Sequence, residues 1–113
     1  MPDYTKKERA ELRRLASVAY ERELGGHLAE LDKSFSKWRQ GNLLSSELSK
    51  EIHEFHQYAA RDTWSAYQVR DVSMIVARAV ALGILTEQEV PATLREKLSG
   101  TVSLFAEGSD RAV

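Results

Sequence analysis

Residues 12–38 read LRRLASVAYERELGGHLAELDKSFSKW. In the second half of this stretch, large apolar side chains recur at alternating spacings of four and three residues. They are Leu24, Leu28, Leu31, Phe35 and Trp38. This spacing places all five on one face of an α-helix, and it continues across the Gly25-Gly26 pair. The pattern therefore predicts one long helix instead of two shorter ones.

Capping residues mark both ends of this first helix. Thr5 followed by Glu8 is typical of a capping box, and Gly41 is suited to the left-handed conformation just past a helix C-terminus. We therefore expect helix one over about residues 5–40. Two adjacent glycines inside a helix cost about 2 kcal/mol relative to alanines. We expect either a second helix packed closely on Gly25-Gly26 or a kink there.

The remaining chain predicts further helices and no strands. A second helix is expected over about residues 46–68, after a loop short enough to make it antiparallel to the first. Asp71 is a suitable N-cap for a third, buried helix over about residues 72–82. The fold class is thus all-α: a long antiparallel helical hairpin, a buried third helix and one or two short C-terminal helices, the last near Thr93–Ser99. We expect residues 1–100 to form a single domain and residues 101–113 a partly disordered tail.

The helical stripes also predict which side chains form the core. The expected core residues are Leu28, Leu31, Phe35, Trp38, Ile52, Phe55, Ala59, Ile75, Ala79 and Leu82. Each of them lies on the apolar stripe of its predicted helix.

Composition narrows the functional classes. The 113 residues are 42% hydrophobic and 29% charged with a net charge of −1, values typical of a folded, soluble chain. The absence of cysteine excludes disulfides, thiolate metal sites and cysteine nucleophiles. No stretch approaches the ~18 apolar residues of a membrane span, and the N-terminal residues are polar. We therefore expect a cytoplasmic protein.

Helix one is longer than the second helix that pairs with it. Its first turns carry a further apolar stripe that includes Leu12, Leu15 and Ala19, and water would penalise exposure of this stripe. A homodimer packed through helix one would cover it. The expected interface residues are Leu15, Ala19, Tyr20, Gly25 and Gly26. The alternative is a monomer in which the third helix covers the stripe.

Histidines on the first two helices form a candidate metal site. If the two helices pair antiparallel about the loop, the residue numbers of facing positions add up to about 86. This brings His56 opposite Glu30 and near His27. His53 lies three residues from His56, on the adjacent turn. These four side chains, His27, Glu30, His53 and His56, offer ligands suited to a divalent metal such as zinc, iron or manganese. The alternative is that the histidines cap, pack or form hydrogen bonds without a metal.

No catalytic motif and no cofactor-binding loop occurs in the sequence. The leading hypothesis is a small helical interaction or regulatory protein that works as a homodimer and is not an enzyme. Metal binding at the four residues above is the first alternative. The second is nucleic-acid binding through the basic start of helix one, where the cationic residues are Lys6, Lys7, Arg9, Arg13 and Arg14. Interleaved acids such as Glu8 and Glu11 make a solvated, ion-paired face the simpler interpretation of that cluster.

Overall fold

The computed structural model describes residues 3–111, and side chains over residues 3–107. Every regular element in this range is helical, which confirms the predicted all-α class. The elements are α1 (Lys6–Arg39), α2 (Ser45–Glu54), a π-helical segment (Phe55–Ala60), α3 (Arg61–Ala66), α4 (Val72–Ala81), a 3-10 turn (Glu87–Glu89) and α5 (Ala92–Arg111). None of the described helices is both long and apolar enough to cross a membrane.

Helix α1 runs through Gly25-Gly26 as regular α-helix. A Cβ atom added at either glycine would meet no other atom within 4 Å, so nothing in the described part of the chain packs closely on this pair. The predicted capping box at its start is confirmed. The Thr5 N–H donates to Glu8 Oε1 at 2.9 Å, and the Glu8 N–H donates to Thr5 Oγ1 at 3.0 Å. Beyond its end, Gly41 adopts the left-handed conformation at φ +80°.

The chain divides into two compact units, and α1 contributes to both. The first unit contains the described residues up to Ala19 together with those from Val69 onward. The second unit is Tyr20–Gln68. Each unit has its own packing, and the two differ sharply in how well they bury apolar side chains.

The first unit has a dense apolar core. Its buried side chains from α1 are Leu12, Leu15 and Ala19, and those from the rest of the unit are Ile75, Val76, Ala77, Ala79, Leu85, Val90, Leu94 and Leu98. A salt bridge of 2.7 Å between Lys97 Nζ and Glu8 Oε1 joins α5 to the first turns of α1. Leu15 and Ala19, which the sequence analysis assigns to a dimer interface, are therefore buried inside the chain. The reason is that α4 and α5 supply enough apolar surface to cover the start of α1.

Helix α5 extends well past the expected end of the last helix at Ser99. It continues through Gly100 to Arg111, while residues 112 and 113, which belong to the predicted tail, lie outside the described residues. The apolar stripe explains this length. Leu94, Leu98, Val102 and Phe105 follow helical spacing across the glycine, and the last two are half-buried.

The second unit buries few of its side chains. Among its described residues, Leu48 is the buried large apolar side chain and Thr63 the buried polar one. Several predicted core residues are instead open: Leu28, Trp38 and Ile52 are exposed, and Leu31, Phe35, Phe55 and Ala59 are half-buried. In the first unit, Ile75 and Ala79 are buried as predicted, but Leu82 is exposed at the C-cap of α4. Within the second unit, α1 has only α2, the π segment and α3 as neighbouring elements, so few of its apolar side chains can be buried.

The open surroundings of Gly26 generate a stability prediction. Gly26→Ala should raise the free energy of unfolding by about 1 kcal/mol, because alanine restricts the unfolded chain and its Cβ meets no neighbour. Gly41→Ala is the matched control. It should lower stability by ~1 kcal/mol or more, because an L side chain is strained at positive φ. Urea unfolding followed by circular dichroism measures both, and a destabilised Gly26→Ala protein would contradict the open environment.

The Lys97–Glu8 bridge generates a pH prediction. The hydrogen bond from Lys97, aided by the backbone N–H of Thr5, lowers the pKa of Glu8 below its ordinary value of 4.5. A carboxyl whose pKa is lower in the folded state stabilises the fold above pH 4.5, and this contribution disappears as pH falls through the lowered pKa. Carboxyl-carbon NMR should show Glu8 titrating below 4.5 in the wild type and closer to 4.5 in Lys97→Met. An unchanged Glu8 titration in Lys97→Met would contradict the contact.

Candidate functional site

The helical stripe of α1 is the main unburied apolar feature of the second unit. We call the set Leu24, Leu28, Leu31, Phe35 and Trp38 the open stripe, because none of its members is buried. Leu28 is 47% exposed and Trp38 is 42% exposed. Burial of apolar surface is favourable by about 25 cal/mol per Å² in free energy, so a continuous stripe of this kind is unfavourable unless it is covered.

The α2 to α3 region adds further exposed apolar side chains. Ile52, Tyr58 and Trp64 are 40%, 65% and 54% exposed. The one polar group of the Trp38 indole is satisfied, since Nε1 donates to Ser45 Oγ at 2.9 Å. Aromatic side chains that combine an apolar body with a polar group are enriched at protein interfaces. The second unit therefore exposes the residue types that contact surfaces use.

A π-helical segment interrupts the second predicted helix. The expected helix over residues 46–68 is divided into α2, the π segment Phe55–Ala60 and α3. A π turn bonds residue i to residue i+5, so it rotates the side chains that follow it relative to an α-helix. This segment contains no glycine or proline, so its sequence carries no signal of a π-helix. Such segments occur frequently at functional sites.

A cavity of about 550 Å³ opens between α1 and the α2 to π region. Its charged and polar lining includes His27, Glu30, Lys33, Ser34, Lys37, Glu51 and Glu54, and its apolar lining includes Leu31, Phe55, Tyr58 and Ala59. Ser34 Oγ donates to Glu51 Oε1 at 3.1 Å. The second oxygen, Glu51 Oε2, is buried and accepts no hydrogen bond from any described residue. A buried carboxylate oxygen without a donor is costly, which makes Glu51 a point of local strain in this unit.

The predicted metal ligands are distributed over different places. His27 and Glu30 line the cavity between α1 and α2, whereas His56 lines a separate one beside Trp64, and His53 is exposed. Within the described part of the chain, no three histidine, aspartate or glutamate side chains form a group that could hold a metal ion. His56 lies inside the π segment, where residues three apart no longer stack as they do in an α-helix.

Glu30 already has a cationic partner. Lys33 Nζ donates to Glu30 Oε1 at 2.8 Å, and this hydrogen bond lowers the pKa of the Glu30 carboxyl. Both side chains are largely exposed, so the pair contributes little to stability. The pair does hold the Glu30 carboxylate on the side of Lys33.

The predicted interface residues have three different environments. Leu15 and Ala19 are buried in the first unit. Tyr20 is half-buried in the second unit, where its ring centroid lies 5.2 Å from that of Tyr67 at an interplanar angle of 48°. Gly25 and Gly26 are exposed with open space above them. Of the predicted set, only the glycines offer free surface, and they flank the open stripe.

Neither protein-family models, nor curated proteins, nor solved structures match this chain. A function is therefore inferred from the chemistry of the side chains in the second unit. They form an apolar stripe with exposed aromatic neighbours, which is the chemistry of a contact surface.

Proposed function

We propose that this chain is a homodimeric interaction protein, and that two copies associate through the open stripe of α1. The observation that supports this proposal is that none of five regularly spaced apolar side chains on one helix face is buried, and that two of them, Leu28 and Trp38, are exposed. The first turns of the same helix bury their apolar side chains. A regular apolar stripe further along the helix is therefore expected to be covered as well, by a partner that the single chain does not supply.

An antiparallel hairpin of α1 and α2 is part of this proposal. The hydrogen bonds that support it are Trp38 to Ser45 and Ser34 to Glu51. On both helices the second bond lies further from the connecting loop than the first, as antiparallel neighbours require. Two such helices form a single layer, and a single helical layer needs a second layer to bury its apolar side.

The area of this layer is close to what a dimer needs. At 1.5 Å per residue, residues 45–66 extend over about 33 Å, and two helices side by side are about 20 Å wide. The resulting face of about 650 Å² approaches the ~800 Å² that each partner buries in an interface of standard size. Two hairpins packed through this face would form a four-helix bundle.

The open stripe is self-complementary about Leu31. Leu24 and Trp38 lie seven positions to either side of it, and Leu28 and Phe35 lie three and four positions away. An antiparallel two-fold pairing of α1 with its copy would therefore place Leu24 opposite Trp38 and Leu31 opposite itself, and would bring Leu28 within one position of Phe35. A second copy of this chain is thus the occupant that the stripe fits best.

Charge along α1 favours the same antiparallel pairing. Between residues 20 and 30, the acids Glu21, Glu23 and Glu30 outnumber the single base Arg22. Between residues 32 and 39, the bases Lys33, Lys37 and Arg39 outnumber the single acid Asp32. Antiparallel copies bring the acidic half of one helix alongside the basic half of the other, whereas parallel copies bring like charges together. Electrostatics therefore selects the antiparallel dimer and disfavours the parallel one.

The dimer is tested by sedimentation equilibrium at micromolar concentration. The wild type should sediment at twice the 12.8 kDa mass of one chain, and Leu28→Glu should weaken association at least 10-fold, because a charge is then buried in an apolar contact. Ala29→Glu is the matched control: it adds the same charge to an exposed neighbouring position off the stripe and should leave the dimer intact. A wild-type mass of one chain over the whole concentration range would reject the proposal.

The two-fold axis at Leu31 is tested by cysteine crosslinking, for which the cysteine-free chain is well suited. Leu31→Cys should form an intermolecular disulfide under mild oxidation, because the two copies of that position meet on the axis. Leu24→Cys should crosslink far more slowly, since seven residues on each side of the axis separate its two copies by about 20 Å. Equal crosslinking at both positions would indicate a parallel dimer instead.

A further inference from the structure

Three arginines line one small cavity of the first unit. The cavity has a volume of about 280 Å³ and is lined by Tyr4, Arg9, Leu12, Arg13, Arg70, Asp71, Val72 and Ser73. Arg9 and Arg13 are four residues apart and therefore project from adjacent turns of α1. Arg70 comes from the segment just before α4. Residues distant in sequence thus bring three guanidinium groups to one place.

The volume of this cavity, about 280 Å³, limits the size of the group that it can hold. Ligand pockets for drug-sized molecules start at about 300 Å³. The arginine cavity therefore has room for one small anionic group and a short substituent. It is too small to follow a stretch of nucleic-acid backbone.

The three arginines lack carboxylate partners. Arg9 Nη1 donates to the carbonyl oxygen of Tyr4 at 2.8 Å, and no ion pair within the described residues involves Arg9, Arg13 or Arg70. The next arginine of α1 behaves differently, since Arg14 forms a salt bridge with Glu11. The basic start of α1 is therefore ion-paired on one side and uncompensated on the side of this cavity.

One carboxylate lies in the cavity, and its contacts are local. Asp71 Oδ1 accepts hydrogen bonds from Ser73 N at 3.0 Å and from Ser73 Oγ at 2.6 Å, as the N-cap of α4. Three guanidinium groups against one carboxylate leave two positive charges. The positive end of the α4 dipole adds to this potential. Two of the lining residues, Leu12 and Ser73, are buried, so part of the cavity wall is shielded from water, which strengthens electrostatic attraction at the site.

We propose that this cavity binds the phosphate monoester group of a small ligand. A phosphate monoester carries a charge of about −1.5 to −2 at pH 7, which matches the two uncompensated positive charges. Guanidinium groups donate paired N–H bonds to phosphate oxygens, so arginine is the side chain best suited to this anion. This site lies in the first unit and is independent of the proposed dimer surface in the second.

Thermal unfolding of the full chain tests the site, with inorganic phosphate and glycerol 3-phosphate as probes at constant ionic strength. Both should raise Tm relative to chloride, because a ligand that binds the folded state stabilises it. The double variant Arg13→Gln with Arg70→Gln should weaken the phosphate response at least 10-fold. Its Tm without phosphate should stay near that of the wild type, since both side chains are exposed.

Arg14→Gln is the matched control, because it removes the same charge from the adjacent position on α1. It should retain the full phosphate response. The proposal is overturned if phosphate does not stabilise the wild type, if Arg14→Gln loses as much as the double variant, or if succinate stabilises more than phosphate. Steeply salt-dependent binding of duplex DNA without competition by inorganic phosphate would also overturn it, in favour of a nucleic-acid surface.

Discussion

Burial of the apolar face of α1 is the constraint on which the rest of the structure depends. The helix carries apolar side chains along almost its whole length, and the neighbouring elements bury those of its first half much more completely than those of its second half. In the first unit, α4 and α5 cover Leu12, Leu15 and Ala19 almost completely. In the second unit, α2 and the π segment leave Leu28 and Trp38 open. The same local pattern therefore gives a packed core in one unit and an open apolar face in the other, because burial depends on how many elements are available as well as on periodicity.

Local signals predicted the all-α class and the helix boundaries that depend on capping. The capping box of Thr5 with Glu8 and the N-cap at Asp71 are each made within a few residues of the chain, so sequence spacing alone is sufficient to identify them. The end of the last helix was harder to predict. Gly100 is a plausible stop signal, but the stripe that continues to Phe105 outweighs the cost of about 1 kcal/mol for glycine inside a helix.

The candidate site was predicted less well, because it depends on which elements meet. The expected core assumed that a helical stripe is buried wherever it occurs, and the exposed Ile52 shows that this assumption fails in a unit of few elements. The predicted metal ligands required a regular second helix, and the π segment from Phe55 to Ala60 changes the direction of the side chains that follow it. The sequence gives no sign of this change, because the segment contains neither glycine nor proline, the residues that commonly interrupt an α-helix.

Two kinds of local conflict remain after folding, and they indicate where the chain has been shaped for something other than stability. One is the open stripe, an apolar face in contact with water; the other is the group formed by Arg9, Arg13 and Arg70, like charges gathered without carboxylate partners. Each arrangement is unfavourable for an isolated chain. A sequence that caps its helices and packs its first unit well has the means to avoid such conflicts. Each becomes favourable when a complementary group is present: an apolar helix face for the stripe, and a phosphate dianion for the arginines.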